Sequence, residues 1–286
     1  MIRLTRVTRT YSDVTRRTSK EKKLADYVDG PVTDSYRTKV RALNAFLHQS
    51  DIAFIDDGLD PRVDPHRRTL TRRFSIFDKE EIRFDQVGRL FGGFWQSMKK
   101  ERRKHIRING EAVADLDYSS MFTRLAYAHL RLTPPPGDLY VIPGLEGHRD
   151  GIKLAMNCFL FDEHRRRQWP SDMNHNYETD AEPTDDDADA DKIPPGWTVG
   201  KTKKAILRVH PDLEGAWGRG LGYRLMWQES EILIMVLSSL MEQDIPALGL
   251  HDGLLVPASK AEIALRAMRR AANAVVGVEL PCIVKG

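Results

Sequence analysis

The chain has 286 residues, of which 41% are hydrophobic and 30% charged, and its formal net charge is +3. This profile is that of a soluble globular protein large enough to bury a hydrophobic core. The length suits one large domain, or one domain and about half of another. The small net charge by itself says little about partners.

Simple sequence features argue against a disulfide-bonded, a zinc-binding, a membrane-spanning and a secreted protein. The two cysteines, Cys158 and Cys282, are far apart and lack a CxxC spacing, so they support neither a disulfide framework nor a zinc site. The longest apolar run, Ile232–Met241, is shorter than the roughly 20 residues that span a bilayer. The basic start of the chain lacks the apolar core of a signal peptide. We therefore expect a cytoplasmic protein without a membrane partner.

Charge is distributed unevenly along the chain. Basic residues concentrate in residues 1–23 and again in 99–107, whereas residues 179–191 are strongly acidic. This segregation predicts contact with a polyanion over part of the surface. Solvated faces and a disordered acidic segment explain the individual runs equally well, so both interpretations stay open.

The first predicted elements are a helix and a strand that runs directly into a second helix. Residues Asp34–Ile52 have a helical period, with Asp34 at the N-cap. In Glu111–Leu132, alternation gives way to a helical spacing from Met121 onward, which predicts a strand followed by a helix. The prolines and the glycine of Thr133–Asp138 stop that helix.

The second half of the chain supplies helices, a hairpin and a closing strand. In order, we expect a helix at Glu146–Trp169, a mobile acidic loop at 170–195, an apolar helix at about Arg224–Gln243, a hairpin at Ile245–Pro257, a helix that starts with the capping box Ser259 to Glu262 and ends near Gly277, and a short apolar strand after it. This order predicts an α+β fold in which helices back a small antiparallel sheet.

The predicted hairpin has a His-Asp-Gly tip, His251–Gly253, with two explanations. Asp and Gly tolerate the positive φ of a tight turn, so a plain turn accounts for the tip. A small antiparallel sheet would also place Asp252 beside Asp117, which ends the strand before Met121. Two such carboxylates can hold two Mg²⁺ (or Mn²⁺) ions for phosphoryl transfer. Asp115 faces the same way as Asp117, so the metal ligand could be either residue.

One face of the predicted helix at Glu146–Trp169 suits the same chemistry. Four residues follow there at steps of four, namely Arg149, Lys153, Asn157 and Phe161. We call them the Arg149 row. Phosphoryl transfer needs cations that neutralise the triphosphate, and the order of two cations, an amide and a ring suits a triphosphate followed by a base. An Arg and a Lys four residues apart are also common on ordinary solvated helix faces.

Four segments resemble motifs of family A DNA polymerases and follow that family's order. The first palm motif is similar to DLDYSSMFTRLAYAHL, which begins at Asp115, and the fingers helix is similar to RDGIKLAMNCFLF, which begins at Arg149. The last palm motif is similar to LGLHDGLLV, which begins at Leu248. Upstream, GRL at Gly88 resembles the segment that touches the primer–template. The resemblance covers about Gly88 to Val256.

The resemblance implies a role for each matched residue. It assigns the catalytic metals to Asp117 and Asp252, with His251 near the primer end, the incoming triphosphate to Arg149 and Lys153, the nascent base pair to Phe161, and the duplex to Arg89. Asn157 stands where the DNA enzymes carry an aromatic residue. Gly253 replaces their second acid and makes the motif closer to the His-Asp-Ser of phage-type single-subunit RNA polymerases. DNA and RNA products therefore both stay open.

Phe122 bears on the choice of sugar. It follows Asp117 by five residues, where family A DNA polymerases place a Glu that blocks a ribose 2′-hydroxyl, and reverse transcriptases use an aromatic residue at a similar offset. A bulky ring in a close-packed site would exclude ribonucleotides, which favours deoxynucleotides. A core position within the helix explains Phe122 equally well.

The resemblance also implies a polymerase palm without an exonuclease domain. Residues 86–286 would form the palm, with small fingers inserted at about 133–223, and residues 1–85 would form a mainly helical region that is thumb-like or contacts nucleic acid. The expected partners are a primer–template, nucleoside triphosphates and an accessory processivity or replication protein. A phage or a mobile element would be a suitable source.

Three functions are weighed. The first is a template-directed nucleotidyltransferase of the DNA polymerase type, and the second is a small single-subunit RNA polymerase or primase. The third is a non-catalytic nucleic-acid-binding protein with a polymerase-like fold. The combination of Asp117 and Asp252 with Arg149 and Lys153 argues against the third, because a binding module has no need for two close carboxylates that each disfavour the other's charge.

Overall fold

The computed structural model describes residues 1–12, 17–169, 193 and 196–285. The predicted acidic loop at 170–195 lies almost entirely outside the described residues. The described chain combines helices with mostly antiparallel sheets, which confirms the coarse α+β prediction.

From Glu111 onward the predicted strands and helices are present, and the helix Val199–Val209 is an additional element that was not predicted; near the start of the chain the described elements differ from the prediction. The strands are β1 (Ile2–Ser12), β2 (Arg17–Leu24), β3 (Ile52–Phe54), β4 (Thr71–Phe77), β5 (Val87–Phe91), β6 (Ile106–Ile108), β7 (Glu111–Tyr118), β8 (Leu248–Gly249), β9 (Gly253–Pro257) and β10 (Cys282–Lys285). The helices are α1 (Pro31–Gln49), α2 (Met121–Leu130), α3 (Arg149–Phe161), α4 (Val199–Val209), α5 (Leu221–Met241) and α6 (Ala261–Val276).

The chain forms two compact units. The first unit comprises Met1–Ser119, Met226–Val275 and Glu279–Gly286, and the second comprises Ser120–Leu225 and Val276–Val278. The predicted roles of residues 1–85, 86–286 and 133–223 are functional assignments, and they stay predictions.

The first unit contains a four-stranded sheet in the order β2-β1-β4-β5. Strand β1 pairs antiparallel with β2 and parallel with β4. A parallel pair needs a long connection, and α1 lies within this one. One face of the sheet is apolar, with Ile2 and Leu4 packed together with Phe74 and Ile76. The ring of Tyr36, on α1, stacks on Phe74 with centroids 5.1 Å apart, so α1 covers this face.

This sheet corrects the prediction of a mainly helical region at residues 1–85, whose described residues hold four strands and one α-helix. The period of two is present in Ile2 and Leu4, whose exposed fractions are 5% and 1%. Arginine and threonine fill most other positions of β1, and the next apolar residue, Val7, breaks the alternation. A strand with so few apolar residues gives too weak a periodic signal to be recognised.

Helix α1 is the predicted first helix, but it begins at Pro31 rather than after Asp34. Proline suits the first position of a helix because it lacks the N–H that would there have no helical partner. The hydroxyl of Thr33 accepts a hydrogen bond from the N–H of Gly30 at 2.9 Å, which closes the first turn.

The first unit also contains a six-stranded antiparallel sheet with β7 at its centre. Its strand order is β3-β6-β7-β9-β8, and β10 pairs with β7 as well. The strand–helix pair predicted in Glu111–Leu132 is confirmed as β7 and α2, and the closing strand as β10. The predicted His-Asp-Gly hairpin is confirmed as β8 and β9, joined by a 2.8 Å hydrogen bond from the N–H of Leu250 to the carbonyl of Gly253.

Helices α5 and α6 also follow the prediction, with one local difference. The capping box expected at Ser259 is wrong, because both the N–H and the hydroxyl of Ser259 donate to the carboxylate of Glu111, at 3.1 and 3.0 Å. Helix α6 begins two residues later, at Ala261. Ser259 thus bonds to Glu111, on β7, and not to Glu262 within the helix as the sequence pattern predicts.

The second unit is built around α2, α3 and α4. Helix α3 is shorter than the predicted Glu146–Trp169, because Gly147 before it has φ +84° and Asp162 after it is extended. The hydroxyl of Tyr127 and Nδ1 of His210 lie 2.9 Å apart in the buried interior. Across the described residues, no helix is both long and apolar enough to cross a bilayer.

Candidate functional site

Two aspartates lie on one face of β7. Leu116 and Tyr118 are buried, with 0% and 4% of their surface exposed. Because side chains alternate along a strand, Asp115 and Asp117 lie on the opposite face, where both are partly exposed. The core on one face of β7 therefore fixes the direction in which both carboxylates point.

Strand pairing brings the His-Asp-Gly tip to the end of β7. Gly253 lies directly opposite Asp117 in the β7–β9 register, and the N–H of Tyr118 donates to the carbonyl of Asp252 at 3.1 Å. The expected proximity of the Asp117 and Asp252 segments is therefore present. We call Asp115, Asp117 and Asp252 the carboxylate site.

The glycine at the tip is required by the close approach of the two strands. A Cβ on Gly253 would overlap the carbonyl oxygen of Leu116 and lie 3.2 Å from Oδ1 of Asp117. Only a residue without a side chain allows the hairpin tip to come this near to Asp117. The Gly that departs from the family pattern is thus explained by packing.

The hairpin is held in place by buried contacts behind it. The indole N–H of Trp95 donates to the carbonyl of Gly249 at 2.8 Å, and the amide of Gln96 donates to the same oxygen at 3.2 Å. Trp95 is fully buried. These buried contacts make the hairpin rigid, so backbone hydrogen bonds determine the position of Asp252.

A lysine that the sequence analysis did not identify completes the carboxylate site. Lys285, on β10, lies opposite Asp115 in register, and its Nζ is 2.6 Å from Oδ2 of Asp117. Partial burial acts to lower the pKa of Lys285, but the hydrogen bond and charge of Asp117, together with the charges of Asp252 and Asp115, outweigh it and raise the pKa. Three carboxylates therefore act on one ammonium group.

Arg103 is the second cation that the sequence analysis did not assign to the site. Burial lowers the pKa of Arg103, and the nearby charges of Asp115, Asp252 and Glu101 oppose that shift. Its Nε is buried and has no hydrogen-bond partner among the described residues. The basic run at 99–107 was a signal for Arg103, whereas nothing in the local sequence pointed to Lys285.

His251 lies beside the carboxylate site as a neutral imidazole. Burial lowers its pKa, the charges of Arg89 and Arg103 lower it further, and Asp252 only partly offsets them. The ring packs on Phe91 with centroids 5.3 Å apart. At pH 7 His251 therefore offers a hydrogen-bonding ring without a charge. Its assignment to the primer end stays a prediction.

Arg89 forms a buried ion pair in the first unit. Its Nε and Nη2 donate to the two carboxylate oxygens of Glu229 at 2.6 and 3.1 Å, and both side chains are almost fully buried. A contact between Arg89 and a duplex would require this bidentate pair to open. The duplex contact implied by the resemblance stays a prediction.

The Arg149 row lies along α3 in the second unit, and its first two residues are more exposed than its last two. Arg149 is exposed and its Nε donates to Asp138 at 2.5 Å, and Lys153 is partly exposed. Asn157 and Phe161 are buried, with exposed fractions of 4% and 7%. The two cations of the row thus reach solvent, and its amide and ring belong to the interior.

Phe122 is also an interior residue of the second unit. Only 3% of its surface is exposed, and its ring centroid lies 5.7 Å from that of Phe161. The ring of Phe161 in turn packs edge-on against Tyr223. This packing agrees with the interpretation of Phe122 as a core residue, and its role in sugar selection stays a prediction.

The carboxylate site offers oxygen ligands, which a hard divalent ion prefers. The described residues contain no cluster of three or more His, Cys, Asp or Glu placed to hold a metal ion by themselves. Mg²⁺ is usually bound by one or two carboxylates together with waters and substrate phosphates, so a site for it does not require such a cluster. The ammonium of Lys285 on Asp117 is a stand-in cation, because it occupies a carboxylate oxygen that a metal ion would use.

The sequence was compared with models of known protein families and with curated proteins, and neither comparison gave a match.

Proposed function

We propose that this chain is a template-directed nucleotidyltransferase that adds nucleotides to the 3′ end of a primer. The observation that carries the proposal is the β7–β9 register, in which Gly253 is opposite Asp117 and the Asp252 carbonyl accepts from Tyr118. Two acidic segments far apart in the sequence meet at a point where packing tolerates only glycine. A plain turn accounts for Asp252 and Gly253, but it does not require Asp115 and Asp117 on the strand that the tip approaches.

In this proposal Asp117 and Asp252 hold the metal ions, and Asp115 lies on the same face as Asp117. Mg²⁺ or Mn²⁺ bound there would activate an attacking hydroxyl and neutralise charge on the leaving pyrophosphate. Neutral His251 adds a hydrogen-bonding group beside Asp252 without adding a cation. Arg149 and Lys153 are the proposed triphosphate contacts.

We also propose a relationship to the family A polymerases, with the six-stranded sheet as palm and α3 as fingers helix. The order of the four similar motifs supports it, as does the strand–helix and hairpin structure of the two palm-like motifs. The hydroxyl of Tyr118 donates to the carbonyl of Met268 on α6 at 2.7 Å. This bond ties β7 to a helix that backs the sheet, as the palm description requires.

A basic surface in the first unit supports a polynucleotide partner. Register places four basic residues on one face of the four-stranded sheet, all exposed: Arg3, Lys20, Lys22 and Arg73. We call them the basic sheet face. Arg3 lies directly opposite Arg73, and like charges in that position repel. Neither of these two arginines forms an ion pair with a described residue, so a phosphate chain would relieve their repulsion.

Primer extension on a DNA template tests the proposal. Wild type is expected to extend the primer with Mg²⁺, and Asp117→Asn and Asp252→Asn to lose more than about 100-fold in rate, because even the outer partners of metal ligands are typically worth 10–100-fold. Asp51→Asn changes an exposed aspartate of the first unit and is the matched control. All three variants are expected to retain duplex binding.

Separate reactions with deoxynucleotides and ribonucleotides distinguish the rival functions. Faster ribonucleotide incorporation would favour the RNA polymerase or primase and would remove the sugar-selection role of Phe122. Tight primer–template binding without extension, and without Mn²⁺ binding, would leave the non-catalytic nucleic-acid-binding protein. Full activity in either Asp variant would contradict the metal assignment.

A further inference from the structure

Strand β10 delivers Lys285 to the carboxylate site. Residues directly opposite each other in an antiparallel pair share a face of the sheet, and Lys285 is opposite Asp115 while Ile283 is opposite Asp117. Lys285 therefore shares its face with both aspartates, and its ammonium lies 2.6 Å from Oδ2 of Asp117. The strand pairing, and not a chance rotamer at a surface, sets this contact.

The contact is partly shielded from solvent. The side chain of Asp117 is 14% exposed and that of Lys285 is 30% exposed. An ion pair with so little access to water is screened less than a surface pair. Lys285 thus contributes a positive charge where the proposed metal ions would bind.

The charges around the carboxylate site are already largely balanced within the chain. Asp115, Asp117 and Asp252 carry three negative charges, and Lys285 and Arg103 supply two positive ones. A divalent ion on Asp117 would lie next to the ammonium on a shared carboxylate, so the two cations would repel each other. Either the divalent ion or the ammonium must therefore move away from Asp117.

The pairing and the exposure of β10 favour movement of Lys285 away from Asp117. β10 pairs with β7, and no other pairing of β10 occurs in the described part of the chain. Ile283 and Val284 are about half exposed, at 48% and 52%, so these two side chains are only partly packed. Upstream, the carbonyl of Pro281 accepts from the N–H of Ser119 at 2.9 Å, and Leu280 is buried. This anchor would hold the chain while the lysine moves.

We infer that Lys285 competes with the divalent ion for Asp117 and thereby sets the metal concentration at which the site fills. The ammonium holds the carboxylate in place without a metal, and metal binding moves it away from Oδ2. This inference rests on the metal site of the proposed function, and it adds a residue of the chain that tunes the site.

Mn²⁺ titration of the full-length chain without nucleotide, followed by calorimetry or by the electron paramagnetic resonance of free Mn²⁺, tests the inference. Lys285→Gln is expected to bind Mn²⁺ about tenfold more tightly, the size of effect that one neighbouring charge has on the ionisation of a carboxylate. Lys285→Arg keeps the competing charge and is expected to bind with an affinity near that of wild type. Lys104→Gln removes an exposed lysine of the same unit and is the control.

The possible results separate this inference from the proposed function. Unchanged affinity in Lys285→Gln, with Mn²⁺ bound by wild type and lost in Asp117→Asn, would overturn the competition and leave the metal site intact. Weaker binding in Lys285→Gln would overturn it too, since the lysine would then support the site. Absence of Mn²⁺ binding in both wild type and Lys285→Gln would overturn the metal site itself. A thermal melt of each variant shows whether the fold is retained. If Lys285→Gln is unfolded, a Mn²⁺-soaked crystal of the wild type gives the answer, because an ammonium still on Oδ2 of Asp117 beside a bound ion would overturn the competition, and a displaced ammonium would support it.

Discussion

The carboxylate site of the first unit and the Arg149 row of the second unit are assembled in different ways. The carboxylate site and its lysine take Asp117, Asp252 and Lys285 from three different segments that strand pairing joins. The Arg149 row consists of four positions of one helix. The geometry of the first therefore depends on register, in which a slip of one residue turns every side chain to the other face. The geometry of the second depends only on the helical period.

Exposure separates the two regions further. An α-helix turns by about 100° per residue, so each step of four residues advances the row by about 40° around the axis. Over three such steps the row rotates from Arg149, which is exposed, to Phe161, which is buried. Asp115 and Asp117 show no such drift, because they are two residues apart on a strand and both are partly exposed. A row on a helix thus changes environment along its length, whereas a strand keeps its face.

The largest effect on stability is expected at the buried Arg89–Glu229 pair. Variants of this pair distinguish a residue that stabilises the first unit from one that contacts nucleic acid. Arg89→Met removes the bidentate partner of the buried Glu229 carboxylate and is expected to cost about 3–5 kcal/mol of unfolding free energy. The double variant Arg89→Met/Glu229→Leu is expected to recover most of that loss. Urea denaturation measures both, and Arg62→Met, in the exposed Arg62–Asp56 pair, should cost less than about 1 kcal/mol.

Duplex binding by the stable double variant then tests the role that the resemblance implies. Binding equal to that of wild type would assign Arg89 to structure alone. A loss of binding in a fully folded double variant would support its contact with the duplex.

A smaller effect is expected from Gly253→Ala, which tests whether the close approach of β9 to Asp117 is required. The added Cβ would overlap the Leu116 carbonyl, so the hairpin tip must shift, at a cost of about 1–3 kcal/mol. Nucleotide incorporation and Mn²⁺ affinity should both fall, because Asp252 moves with the tip. Gly215→Ala, where a Cβ meets open space, is the control for thermal stability. Wild-type metal affinity in Gly253→Ala would show that the approach does not position Asp252.

The smallest effect is expected in the Arg149 row. Arg149→Ala is expected to raise KM for the nucleoside triphosphate about tenfold, since a charge-assisted hydrogen bond contributes about 1.5–3 kcal/mol before its ion pair with Asp138 is subtracted. Asp138→Asn releases Arg149 from that pair and should lower KM. Steady-state kinetics measures both, with Arg208→Ala, an exposed residue of the same unit, as control. Equal KM in all four proteins would remove the row from triphosphate binding.

The predictable parts of the fold are those with a local signal. The change of period inside Glu111–Leu132 identified β7 and α2, and Asp-Gly between apolar runs identified the hairpin. The four-stranded sheet was missed because threonine and arginine fill most of β1 beside Ile2 and Leu4. Local patterns also failed at Ser259, whose partner is the distant Glu111.

In the candidate site, too, only the residues that belong to a local motif were predictable. Asp117 and Asp252 stood out because each is part of a recognisable motif, and an antiparallel sheet brings such motifs together. Lys285 could not be found in this way, because its partner depends on the register of β10 against β7. The burial of Asn157 and Phe161 was equally hidden, since spacing fixes a direction around a helix but not what packs there.

If Asp117 and Asp252 share a divalent ion, as we propose, a crystal of the chain soaked with Mn²⁺ will show it. We expect an anomalous peak about 2.1 Å from a carboxylate oxygen of each aspartate, as oxygen ligands of small divalent ions require, with Lys285 Nζ displaced from Asp117. A Mn²⁺-soaked crystal in which the two carboxylates point into separate pockets, with no peak between them, would contradict it.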